Sequence, residues 1–253
     1  MQKSKLFGMN VNVGPYGAYV DTIVEKARLG ESSYACVANV HMLIETHKNY
    51  DFAKLVNGAS LVAPDGKPIT WALRLVHNVR QDRVAGMDLL PDLLRLAEKR
   101  GLPVYFYGGT EAMLRQTEDY MKQSFPRLQV AGMYSPPFRA LTSEEEDEIA
   151  ARINASGAKL VIVVLGCPKQ EKWMAAMKGR VQAYMVGLGG ALPVLIGMQK
   201  RAPVWMQKTG FEWLYRLMQE PRRLLSRYVV TNSLFLLLFC KAYMQKKFTH
   251  TAS

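Results

Sequence analysis

Cysteine is scarce in this chain, with only Cys36, Cys167 and Cys240 among 253 residues. Their number is odd and no Cys-x-x-Cys pair occurs, which argues against a disulfide framework and the usual zinc motifs. A reducing, cytoplasmic setting is expected. Acidic residues are also in deficit: 21 Asp and Glu stand against 33 Lys and Arg, for a net charge of +12. That imbalance calls for an anionic partner, whether nucleic acid, a lipid surface or a diphosphate. No Asp-x-Asp occurs anywhere, so the usual carboxylate clamp for a metal-bound diphosphate is missing, and the four histidines show no ligand spacing. Residues 1–19 lack a sustained apolar run and carry Gly8, Gly14, Pro15 and Gly17, unlike a secretory signal. Internal repeats and low-complexity tracts are absent as well.

What the chain does have is an alternation. Short apolar runs occupy Tyr34–Ala38, Ser60–Ala63, Val104–Tyr107, Gln129–Met133, Leu160–Leu165 and Ala183–Val186. Helical patterns occupy Tyr16–Leu29, His41–Lys48, Pro68–His77, Asp88–Arg100, Glu111–Ser124, Ser143–Ala155 and Pro168–Met177. Strands alternating with helices predict an α/β fold, a parallel sheet covered by helices on both faces. Ligands of such sheets bind at the carboxyl ends of the strands, near a change in strand order. This singles out Asn39, Pro64-Asp65-Gly66, Gly108-Gly109, residues 166–171 and residues 187–190.

The pattern changes near Met198, dividing the chain into a core, 1–198, and an appendage, 199–253. The appendage holds ten Lys and Arg against two Glu, so most of the net charge lies there. Trp205–Gln219 reads as one helix, interrupted at Pro221, and a second helix is expected from Arg222 to about Lys246. Within it Tyr228–Cys240 is apolar apart from Thr231, Asn232 and Ser233. Thirteen helical residues span roughly 20 Å, short of the about 20 residues that a bilayer core requires. Arg222, Arg223 and Arg227 precede this stretch, and Lys241, Lys246 and Lys247 follow it. Cations bracketing apolar side chains suit a helix lying in an anionic headgroup plane, peripheral to the membrane. A partner subunit, as in a homo-oligomer, is the other candidate to cover it.

Several residues could carry chemistry. Asp65 closes the second run; in isolation Pro-Asp-Gly is a turn whose Asp bonds locally, but at a strand end the same carboxylate can act as a general base. Gly166-Cys167-Pro168-Lys169-Gln170-Glu171 enters a helix, where Lys169 and Gln170 would project toward an anion or sugar hydroxyls and Glu171 would act as a cap. Gly108-Gly109 opens another helix, and its amides could face a diphosphate or a ribose. Gly187-Leu188-Gly189-Gly190 lacks the third glycine of a dinucleotide fingerprint, which discounts a nicotinamide cofactor. Asn39 reads as a helix cap or a sugar ligand, Asp88 as an N-cap, and Arg83 as a solvated loop charge or a ligand clamp.

Taken in order, these segments resemble the WecG/TagA/CpsF family of glycosyltransferases. The resemblance is carried by Asn39, Pro64-Asp65-Gly66, Arg83-Val84-Ala85-Gly86-Met87-Asp88, Gly108-Gly109, Gly166-Cys167-Pro168-Lys169-Gln170-Glu171 and Arg201-Ala202-Pro203. It continues through Glu212-Trp213-Leu214-Tyr215-Arg216-Leu217, Glu220-Pro221-Arg222-Arg223 and Arg227-Tyr228. It implies a Rossmann-like core with a C-terminal appendage that completes the site at the membrane. The implied reaction is an inverting, metal-independent and cofactor-free transfer from a UDP-sugar to a sugar on undecaprenyl diphosphate, in cell-surface polysaccharide biosynthesis. Asp65 is then the implied base; Asn39, Arg83 and Gln170 match sugar-binding positions. Arg216 and the group Arg222, Arg223 and Arg227 match arginines that neutralise the diphosphate. Two positions depart from the family pattern: Val37 stands where Thr is frequent, and Pro193 where many members carry Asp.

The competing reading of the charge is a non-enzymatic nucleic-acid-binding module. It is disfavoured because the cations gather around an apolar helix and no nucleic-acid motif is present.

Overall fold

The computed structural model describes residues 1–251, with side chains through Lys247. A hairpin of β1 (Gln2–Leu6) and β2 (Met9–Val13) opens the chain. It is followed by α1 (Tyr16–Arg28), β3 (Ser33–Ala38), α2 (Val40–Lys48), α3 (Tyr50–Asn57), β4 (Leu61–Pro64), α4 (Lys67–His77) and α5 (Gly86–Arg100). Next come β5 (Val104–Gly108), α6 (Glu111–Ser124), β6 (Val130–Tyr134), α7 (Ser143–Ala155), β7 (Leu160–Val164), α8 (Lys169–Met177), β8 (Tyr184–Gly187) and the short α9 (Leu192–Leu195). The appendage comprises α10 (Val204–Thr209), α11 (Glu212–Gln219) and α12 (Pro221–Thr251).

Strands β3 to β8 form one parallel sheet in the order β4-β3-β8-β7-β5-β6. Every residue of β3, β4, β5, β7 and β8 is buried, which is why these strands read as unbroken apolar runs. The pleat sends alternate residues to two cores. Tyr34, Cys36, Tyr105, Tyr107, Val161 and Val163 belong to one, and Ala35, Val37, Phe106, Ile162 and Val186 to the other. Helices α2, α3 and α8 supply the first core, and α1, α5 and α6 the second. The chain leaves β3 toward β4 at one edge and then crosses to β5 on the far side, so the order reverses around β3 and β8.

All six expected strands are found, within one or two residues of their apolar runs. The hairpin is an addition. Its Phe7-Gly8 turn takes positive φ at both positions, 48° and 99°, as a type I′ connection requires. Phe in the first place hides a turn normally announced by Asn or Asp. The hairpin shields the sheet edge, since Asn12 Oδ1 accepts from the β4 amide of Val62 at 2.8 Å.

The appendage differs from expectation in two respects. The helix expected over Trp205–Gln219 is two helices, broken at Gly210 with φ 82°. The last helix is also longer than its apolar centre suggested. Over Pro221–Lys247 it is, by length and composition, long and apolar enough to cross a membrane, with a mean hydropathy of 1.3 in its best window. One side of it lies along α2 and α4, where Phe235 joins the first core. Lys246 Nζ donates to the Leu75 carbonyl at 2.9 Å and to Asn78 Oδ1 at 2.5 Å, at the end of α4.

Candidate active site

The carboxyl ends of five of the six strands open into one cleft of about 730 Å³, roofed by α11 and α12. Asn39 enters it after β3, Asp65 after β4, Gly109 after β5, Gln170 beyond β7 and residues 187–191 after β8.

Asp65 is fixed by its backbone. Its amide donates to the Ala38 carbonyl at 2.8 Å, extending the β3–β4 ladder by one residue, and Gly66 then turns into α4 with φ 97°. A side chain at Gly66 would meet the left-handed penalty, so glycine is required there. Among the described residues no hydrogen bond or ion pair uses the Asp65 carboxylate; the local turn bond expected of Pro-Asp-Gly is not made. Burial pushes its pKa up to about 7; Glu212 and Asp88 raise it further, while Arg83 and Arg216 partly offset them. A carboxylate that is unspent, faces a cleft and titrates near neutrality has the properties of a general base.

Arg83 is committed. Its guanidinium pairs with Glu212 at 2.5 Å and Asp88 at 3.2 Å, and its side chain is only 13% exposed. Asp88 in turn pairs with Arg201. This network ties the loop before α5 to two points of the appendage. Asp88 is therefore not an N-cap: α5 begins at Gly86, with Ala85 in the capping position and Asp88 in the first turn. Asn39 does cap, its Oδ1 accepting from the Met42 amide at 3.1 Å while the residue lines the cleft.

The glycine and glutamine motifs are largely spent on the fold. The Gly109 amide donates to the Val164 carbonyl at 2.9 Å, so it is not available to a diphosphate. Gly108 packs on β7, where an added Cβ would lie 2.5 Å from the Val164 oxygen. Gln170 is buried: its Oε1 accepts from the Gly166 and Gly189 amides, each at 3.2 Å, and its Nε2 donates to Glu171 at 2.7 Å. It thus clamps the β7 and β8 turns together. Glu171 lies in the first turn of α8 but is fully buried rather than a surface cap, and burial lifts its pKa to about 6. Lys169 is exposed and outside the cleft.

The appendage arginines behave differently. Arg216 reaches from α11 to the β8 turn, where a Cβ on Gly190 would come 2.9 Å from its Nη2. Arg223 and Arg227, one turn apart on α12, both line the cleft, whereas Arg222 is exposed and turned away from it. Arg223 pairs with Glu220. Among the described residues neither Arg216 nor Arg227 forms an ion pair. Unpaired guanidiniums in a partly buried cleft are suited to an anion with several oxygens.

A half-buried carboxylate at the strand ends and arginines lining the same cleft suit transfer chemistry with an anionic leaving group. The sequence profile of the Glycosyl transferase WecG/TagA/CpsF family matches residues 4–249. The chain belongs to this family. An N-acetylglucosaminyldiphosphoundecaprenol N-acetyl-beta-D-mannosaminyltransferase of Bacillus spizizenii is 32% identical over 194 residues, 76% of this chain and 74% of its own length. As a WecG/TagA/CpsF member the protein is a glycosyltransferase.

Two residues of this glycosyltransferase's cleft were given no role by sequence reasoning. Glu212 stood in a motif of the family resemblance but was given no role; it touches Arg83 and raises Asp65, partners more than a hundred residues away that no local pattern indicates. His41 lines the cleft in the first turn of α2, and burial together with Arg227 lowers its pKa, keeping the ring neutral. Pro193, at the departure from the family pattern, also borders the cleft.

Proposed function

We propose that this enzyme transfers a hexose from a UDP-sugar onto a sugar carried by undecaprenyl diphosphate, with inversion and without a metal, in cell-surface polysaccharide biosynthesis. The observation that carries the reading is the Asp65 carboxylate, held at the strand-end cleft with no hydrogen-bond partner among the described residues and with Arg216 near enough to offset its raised pKa. Asp65 takes the proton from an acceptor hydroxyl as that oxygen attacks the anomeric carbon on the face opposite the diphosphate. The anomeric carbon–oxygen bond to UDP breaks, and the departing charge needs stabilisation. Arginines supply it in this reading, with Arg216, Arg223 and Arg227 as the candidates that line the cleft. Among the described residues no group of three or more His, Cys, Asp and Glu comes together. Asn39 is the strand-end group with spare capacity for sugar hydroxyls, and Arg83 holds the wall beside it.

The relative's name supports N-acetylmannosamine as donor sugar and an N-acetylglucosaminyl lipid diphosphate as acceptor; the uronic acid of N-acetylmannosamine and glucose are the alternatives from the family resemblance. Such an acceptor sits in a membrane, and α12 suits contact with it on the cytoplasmic face. Its outward side exposes Leu225, Val229, Leu237 and Met244 between the flanking cations. In this reading residues 1–198 form the catalytic core, and 199–253 complete the site and hold it at the surface. The test is to incubate purified enzyme with a synthetic prenyl-diphosphate N-acetylglucosamine and a panel of UDP-sugars, reading product mass. A product heavier by one N-acetylhexosamine, formed equally well in EDTA, is expected. Absence of product with every donor rejects the reading.

A further inference from the structure

The cleft has two chemically distinct ends. One is the polar set around Asp65 and the arginines. The other runs between α4 and α12, lined by Trp71 and Leu75 from the first helix and Phe235, Leu236 and Phe239 from the second. Trp71 and Leu75 lie one turn apart, and with Leu236 they remain 48%, 42% and 57% exposed. Large apolar groups left open inside a groove are suited to an apolar ligand. The walls are braced. The Trp71 ring packs at Gly210, where an added Cβ would come within 3.0 Å of it, and Phe235 rests edge-on against Phe7 at 6.3 Å. Along α12 the rings of Phe235, Phe239 and Tyr243 form a ladder, with centroids 6.2 and 6.1 Å apart and planes within 17° and 11°.

We infer that this apolar arm is a subsite for the first isoprene units of the lipid acceptor, which run along α12 toward Tyr243, away from the arginines that serve the donor's departing diphosphate. The inference rests on the acceptor class proposed above. Its own support is continuity within one cleft: along α12 the arginines give way to Tyr228, Thr231 and Asn232, and then to Phe235, Leu236 and Phe239 opposite Trp71 and Leu75. From Phe235 to Tyr243 is eight residues, about 12 Å of helix, enough for the first isoprenes. Beyond Leu75 the groove meets a second cavity of about 690 Å³, bordered by Arg74, Arg80, Tyr243, Lys246 and Lys247. A hydrocarbon path ending at a cationic rim matches a lipid that passes from a protein groove into an anionic membrane surface. The exposed Trp71, Leu75 and Leu236 supply the contact area, and the aromatic ladder, anchored in the core by Phe235, holds that wall rigid.

The test uses acceptors with the same sugar and diphosphate but one, two, four and eight isoprene units, each below its aggregation concentration. The wild-type kcat/KM should rise at least tenfold from one to four units and then level off. Trp71→Ser and Leu236→Ser should each flatten that rise, and Trp71→Leu, which keeps an apolar wall, should retain most of it. Indifference to chain length overturns the subsite. So does a rise that survives both serine variants, or one lost equally in Leu237→Ser on the outward face, since the gain would then come from partition or a second copy of the chain. Failure to transfer to any acceptor rejects the proposed acceptor class instead, and is recognised by the absence of product even with one isoprene.

Discussion

The two sides of the cleft commit their polar groups differently. On the core side, Arg83 is held by two carboxylates, Gln170 by two amides and Glu171, and the Gly109 amide by a strand carbonyl. On the appendage side, Arg216 and Arg227 enter the same cleft with no ion pair among the described residues. A guanidinium already paired with carboxylates offers a ligand little net charge, whereas an unpaired one offers its full charge. The core therefore holds the shape and the appendage supplies the charge; Asp65 is the core group that breaks this division.

Replacing Arg216 and Arg227 together by alanine breaks the comparison most severely. Transfer should fall on the order of 10²–10³-fold in kcat/KM, with thermal unfolding little changed. Arg83→Ala should instead lower the melting temperature, because Glu212 and Asp88 lose their shared partner. If both substitutions act alike on stability and rate, the division between shape and charge is wrong.

Glu212→Gln sharpens the comparison from the other side. Glu212 raises Asp65, so removing its charge lets Arg83 and Arg216 pull the Asp65 pKa down. The acid limb of the pH–rate profile should shift to lower pH by about one unit or less.

The smallest effect is on stability. The Asp65 pKa lies near 7 in the fold against an ordinary 3.8, so the native state binds more protons than the unfolded chain between those values. Stability contributed by this site therefore falls as pH rises through that window, and the loss is complete above it. Asp65→Asn removes the penalty, so in calorimetry the variant should melt above the parent at pH 8 and equal it near pH 4. Each kcal/mol recovered would be worth about 2–4 °C. Such a trade of stability for a reactive group is common at active sites.

Much of this was legible in the sequence, and the illegible part has a physical pattern. Fully buried strands declare themselves as apolar runs, so the parallel sheet and its ligand edge could be read from Leu160–Val164 and its neighbours. Asp65 could be located by its place after a strand, and Asn39 as a cap by its place before a helix. Strand order, the Glu212–Arg83 pair and the inward clamp of Gln170 depend on contacts between distant residues, and no local pattern encodes those. Which of Arg222, Arg223 and Arg227 line the cleft depends on the helix phase, which leaves Arg222 outside it. The Phe7-Gly8 turn was missed because Phe occupies a position that normally announces itself with Asn or Asp.

The central claim is that Asp65 is the base that deprotonates the acceptor. The most direct measurement is the pH dependence of kcat/KM for the parent and for Asp65→Ala with a soluble prenyl-diphosphate-sugar acceptor. The parent should rise with unit slope through a midpoint near 7, the value to which burial lifts Asp65. The variant should lose roughly 10²–10⁴-fold and show no such limb. Near-parental turnover in Asp65→Ala, or the same limb persisting in it, would contradict the assignment.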